Sequence, residues 1–158
     1  MDLKCAVIAV CFVLASTPAF AGCYTPQEYE AEQGIRIHSE LMVIGLTCQK
    51  MPDMRDSYAK YKQFTLKNAR LLGGYENELI GFYRKSGISS PDMELHGLRT
   101  RLANQISRHA ISMSTKSFCN SFGPRINQAL AMDEKTLRLW AQKAWNNHPA
   151  SQRMCKRV

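Results

Sequence analysis

The stretch Gln27–Cys48, QEYEAEQGIRIHSELMVIGLTC, decides how the rest of the chain is read. Wound at 100° per residue, it places Gly34, Ile37, Leu41, Ile44, Gly45 and Cys48 on one side. Ile35, Met42 and Leu46 fall on a second side. A helix that is apolar on two sides is expected between neighbours rather than on a surface. One narrow strip stays polar, formed by Gln33, Arg36, Glu40 and Thr47. The expectation is a central helix with a single window for chemistry.

Upstream, Met1-Asp2-Leu3-Lys4 precedes an apolar run from Cys5 to Ala15, then Ser16-Thr17-Pro18 and Ala19-Phe20-Ala21. A short basic start, about ten apolar residues and a small-x-small site describe a signal peptide cleaved after Ala21. Residues 1–21 are therefore read as a leader, 22–148 as the folded domain and 149–158 as a basic C-terminal tail. The expected location is periplasmic or secreted. The alternative is a lipid anchor through Cys23, although Phe20 stands where lipoprotein sites usually carry Leu. No later run approaches the length of a membrane-spanning helix.

Removing the leader leaves Cys23, Cys48, Cys119 and Cys155. An even number in an exported chain reads as two disulfides. Three pairings are open. The one favoured joins Cys48 to Cys119 between internal helices and Cys23 to Cys155 between the ends. The spacings are too wide for zinc ligation, and no haem-attachment motif is present, so no metal or cofactor is expected.

The second long segment runs from Pro52 to Lys85, with Tyr61, Phe64, Leu71, Leu72, Tyr75, Leu79 and Phe82 on one face. Gly73-Gly74 interrupts it at about 2 kcal/mol of helix propensity relative to alanine. The expectation is one helix kinked there, or two nearly in line, with the glycines admitting a close neighbour. Asn68 falls on the apolar face and needs a hydrogen-bond partner. Tyr58, Tyr61, Tyr75 and Tyr83 either line a ligand groove or belong to the core, and the core reading is preferred. Tyr61 and Tyr75 remain binding candidates.

Ser90-Pro91 opens a third helix with Leu95, Leu98, Leu102, Ile106, His109 and Met113 in a stripe. His109 reads as a histidine at the core edge. Arg99, Arg101 and Arg108 lie off the stripe as solvated cations, and Arg99 and Arg101 are candidates for binding an anionic partner. Phe118-Cys119 belongs to a fourth helix, cut by Gly123-Pro124. Asp133 caps a last helix carrying Leu137, Trp140, Ala141 and Ala144, stopped by Pro149. No segment alternates with period two. The fold class is all-α, a disulfide-tied bundle of four to five helices.

The net charge is +8, and it is unevenly placed. Residues 22–48 hold four glutamates and one arginine, whereas the rest of the chain is basic. A basic excess favours an unknown envelope protein or an anionic envelope component as partner. Nucleic acid is not expected, because no recognisable module is present. No phosphate loop, dinucleotide fingerprint or hydrolase motif occurs. The remaining constellation is Arg36 with Glu40, spaced to pair along the polar strip. A small envelope hydrolase using Glu40 is the alternative to a non-enzymatic binding module. It requires a cleft at Glu40 with a second acid or a positioned water.

The run Arg36-Ile37-His38-Ser39-Glu40-Leu41-Met42-Val43 followed by Cys48 resembles a block in small exported helical proteins of proteobacteria with no established activity. Tyr61 with Phe64, Arg101-Leu102-Ala103-Asn104, Phe118-Cys119 and Ala129-Leu130-Ala131 are similar to further blocks of that group. The resemblance covers the larger part of the chain after the leader. It implies a helical exported protein in which the cysteines after the first helix and after Phe118 are paired. Gly123-Pro124 departs from the continuous helix it implies.

Overall fold

Thr25 and Glu28 start the first helix by a reciprocal cap. The Glu28 backbone N–H donates to Thr25 Oγ1 (3.2 Å), and the Thr25 backbone N–H donates to the Glu28 carboxylate (2.8 Å). From there α1 runs over Pro26–Cys48. The computed structural model describes residues 22–143 and 148–156, so the leader, Ala144 and the last two residues of the tail lie outside the described residues. Six further α-helices follow among the described residues: α2 Ser57–Lys67, α3 Ala69–Lys85, α4 Pro91–Ser112, α5 Thr115–Phe122, α6 Pro124–Ala131 and α7 Glu134–Gln142. A 3₁₀ turn, Pro52–Met54, precedes α2. The only β interaction among the described residues is an isolated bridge between Tyr24 and Met154.

The protein is all-α, and α1 packs against each of the other six helices. Ile35, Ile37, Leu41, Ile44 and Cys48 are buried around its circumference, as an axis apolar on two sides requires. The helices number seven rather than four to five because two expected elements divide. The first division falls at Asn68, not at Gly73-Gly74. Asn68 leaves helical geometry, and its side-chain amide donates to the Phe64 carbonyl (2.9 Å). A short polar side chain that takes a helix carbonyl offers the backbone another route. Gly73 and Gly74 stay helical inside α3, where Leu72, Tyr75 and Leu79 bury its face. Neither glycine admits a neighbour: a Cβ at either would meet nothing within 4 Å. The close approach is at Gly34 instead, where a Cβ would lie 2.2 Å from the Tyr75 ring. The second division is the expected one, at Gly123-Pro124, between α5 and α6.

Asp133 caps α7 through the Thr136 N–H (2.7 Å), as expected. The helix ends at Gln142, well before Pro149. The segment 148–156 then returns to α1. Tyr24 donates to the Arg153 carbonyl and Cys155 donates to the Tyr24 carbonyl, both at 2.9 Å. Cys23 bonds to Cys155 and Cys48 to Cys119. The tail is stapled, and a Cys23 sulfur held in a disulfide has no thiol left for a lipid. No helix among the described residues is long and apolar enough to cross a membrane. Two disulfides fit an extracytoplasmic compartment.

Gly34→Ala should lower stability by about 2 kcal/mol through overpacking against Tyr75. Gly74→Ala should raise it by up to about 1 kcal/mol through helix propensity. Urea unfolding of the two variants checks both signs. Replacing Cys48 and Cys119 together by Ser should cost about 3 kcal/mol in the same assay.

Candidate functional site

Every acid in the first half of α1 is buried and partnered. Glu30 accepts from Tyr75 Oη (2.9 Å) and Gln142 Nε2 (2.6 Å), and Arg138 lies 3.0 Å away. Glu32, with no exposed surface, accepts from Tyr24 Oη (2.8 Å) and from the backbone N–H and hydroxyl of Ser151. Burying a carboxylate is tolerable only with such a set of donors. Glu32 and the phenol of Tyr24 share one buried site, so burial and the neighbouring carboxylate hold that phenol above the usual tyrosine range.

The expected Arg36–Glu40 pair does not form in that way. Arg36 turns toward the N-terminus and spends all its edges. Nε donates to Gln33 Oε1 (3.1 Å), Nη1 to Gln105 Oε1 (3.0 Å) and Nη2 to the Pro149 carbonyl (3.0 Å), with Glu32 at 3.7 Å. Glu40 instead accepts from Arg125, the first residue after Pro124 in α6. Arg125 lies over the Phe122 ring, 5.0 Å from its centroid. Burial raises the Glu40 carboxyl above its ordinary range, and Arg125 and Arg36 oppose that rise.

Both residues open onto one groove of about 830 Å³. Its floor is Arg36 and Glu40 from the polar strip of α1. Its walls are α4 with Gln105, Ile106 and His109, the α5 pair Phe118 and Phe122, Gln128 of α6, and α7 with Thr136, Leu139 and Trp140. Lys143 and His148 complete the rim. Glu40 is the one carboxylate among the described lining residues, set against Arg36, Arg125, Lys143 and two histidines. His109 is thus an exposed wall residue rather than a core-edge one, with its ring 5.7 Å from that of His148.

A scan against protein-family models finds no match, and no curated protein or solved structure proves similar. The chemistry is therefore argued from the groove itself. A lone buried carboxylate already bonded to a guanidinium has no second acid with which to divide acid and base roles. Among the described residues no three metal-ligating side chains converge.

The other candidates lie elsewhere. Arg99 is half-buried and bonded to Glu76, whereas Arg101 is exposed, as its place off the stripe implied, and donates to Glu94 (2.7 Å). Tyr75 is spent on Glu30, and burial pushes its phenol upward. Tyr61 sits between α1 and α2, with its hydroxyl 2.9 Å from His38 Nε2. None of the four lines the large groove. The residues that sequence reasoning missed are Arg125, Gln105 and His148. They meet α1 across 69 or more positions, and no local pattern marks them.

His38 yields a pH test. Burial, with Arg99 adding to it, pushes its pKa down from 6.5 to about 4. The unfolded chain therefore binds the extra proton between those values, and stability falls as pH drops from about 6.5 to about 4. The loss should reach about 3 kcal/mol, and His38→Gln should flatten that slope in urea titrations run across the interval.

Proposed function

We propose that this chain is a non-enzymatic binding module of the bacterial envelope, periplasmic or secreted, that holds an anionic component in the groove over α1. The observation that carries the reading is the charge of the groove, three permanent cations and two imidazoles around a single carboxylate that is already paired. Concave sites of this volume with a few convergent polar groups are the usual form of small-ligand sites. The leader, the disulfides and the resemblance to small exported proteobacterial proteins support the location.

The alternative, a hydrolase with Glu40 as acid and base, draws on the raised pKa of that carboxyl in a cleft. It lacks a second acid among the described groove residues. Glu40→Gln separates the two readings, since a hydrolase loses turnover and a binding module keeps its ligand.

Protein recovered from the envelope should carry an anion in native mass spectrometry that high salt strips. Arg125→Gln should lose it at a lowered melting temperature, because the change strands the buried Glu40, and Arg125→Gln combined with Glu40→Gln should lose it with most of that stability restored. Arg99→Ala with Arg101→Ala should keep it, because both cations are already neutralised by Glu76 and Glu94. Bare protein, or a ligand indifferent to Arg125, would count against the reading.

A further inference from the structure

We propose that the groove takes a single-chain aliphatic carboxylate, its head on Arg125 and its chain along Phe122, Leu139 and Trp140. This rests on the anion-binding reading above and narrows it to one ligand class.

The head is argued from Arg125. A guanidinium carries five N–H donors in a fork that matches a carboxylate. Among the described residues Arg125 gives a hydrogen bond to Glu40 alone, and its side chain is 34% exposed. The site thus already holds one carboxylate and keeps unused donors on the groove side. Arg36 is the contrast: it is buried, and all three of its nitrogens already donate, to Gln33, Gln105 and the Pro149 carbonyl, so fewer of its donors are left than on Arg125.

A second donor follows from Arg36. Because Gln105 Oε1 accepts from Arg36, the amide nitrogen of Gln105 is the end that lies 3.4 Å from His148 Nδ1. That nitrogen donates, so His148 Nδ1 accepts and the ring proton sits on Nε2. Burial with the nearby cations depresses the His148 pKa, which keeps the ring neutral. The groove wall therefore presents one charged fork and one neutral N–H. A phosphate dianion would meet the Glu40 carboxylate with two charges, whereas an alkanoate meets it with one.

The chain is argued from what the groove leaves in water. Phe122, half-buried beneath the Arg125 guanidinium, is the apolar surface next to the head, and it stacks at 4.9 Å on the fully buried Phe118 behind it. Leu139 lies opposite on α7 with 53% of its surface exposed. An apolar wall beginning beside a cation is complementary to an amphipathic anion.

The test is calorimetric titration of the full chain with octanoate, decanoate, dodecanoate and hexadecanoate, beside dodecanol and dodecyl phosphate. One site is expected, about fourfold tighter for each added methylene until the groove is filled. Dodecanol should bind at least about tenfold more weakly than dodecanoate, the scale of one lost charge-assisted bond. Arg125→Gln should weaken dodecanoate by a similar factor. Glu40→Gln should tighten it severalfold by removing the competing carboxylate. Leu139→Asp, at an exposed position that folding does not need, should weaken it as well. Equal binding of dodecanol, tighter binding of dodecyl phosphate, or indifference to both Arg125→Gln and Leu139→Asp would overturn the proposal. If no alkanoate binds while envelope-derived protein still carries an Arg125-dependent anion, this inference falls and the broader reading stands. If neither is seen, both fall.

Discussion

A helix surrounded by other helices has little solvent face on which to discharge its polar groups, and α1 carries four buried carboxylates and a buried guanidinium into that position. Each must find donors or acceptors inside the protein, since leaving one buried charge unpaired costs about 3–5 kcal/mol. The partners come from every part of the chain. Glu28 is matched by Thr25 and Lys85, Glu30 by Tyr75, Arg138 and Gln142, Glu32 by Tyr24 and Ser151, and Glu40 by Arg125. The arrangement of the helices around α1 is also an arrangement of these partners.

That requirement changes the meaning of the charge distribution. An acidic first segment followed by a basic remainder looks, along the sequence, like a surface prepared for an anionic partner. In the folded protein part of the basic excess is consumed internally by the acids of α1. Arg125 and Arg138 serve Glu40 and Glu30, while Arg99 and Arg101 serve Glu76 and Glu94. Part of what is left over lies at the groove rim, where Lys143 and the unused donors of Arg125 stand beside apolar side chains. The distinction matters chemically. A uniformly basic surface selects by charge alone, whereas a cation set at the end of an apolar wall selects by charge and by chain together.

The helical class, the burial of α1, the cap at Asp133 and both disulfides were legible in the sequence, because each follows from periodicity, a local capping rule or cysteine arithmetic. The break at Asn68 was not, since two adjacent glycines carry the stronger propensity signal. The outcome turned on a side-chain amide reaching Phe64 while packing of Leu72, Tyr75 and Leu79 held the glycines helical. Of the polar strip, Arg36 and Glu40 line the groove while Gln33 is buried beneath, and the expected pairing did not form. Arg36 and Glu40 have the right spacing to bond each other, yet both are buried deeply enough that better-placed partners from distant segments win. Nothing in the linear sequence marks Glu28, Glu30 and Glu32 as buried. Only the return of residues 148–156 and the approach of α3 and α7 make their burial possible.

The closing of the Tyr24–Met154 bridge and the Cys23–Cys155 bond has a consequence for the order in which the molecule can be completed. Synthesis and transport deliver a chain from its N-terminus, so α1 emerges first. Two of its buried groups, Glu32 and Arg36, depend on Ser151 and Pro149. Until those residues arrive, Glu32 and Arg36 keep only their earlier partners, Tyr24 for the one and Gln33 and Gln105 for the other. The first element to be made is therefore among the last to be finished. The packing of the central helix thus depends on the last segment of the chain, and its charge set is complete only when residues 149–155 have joined it.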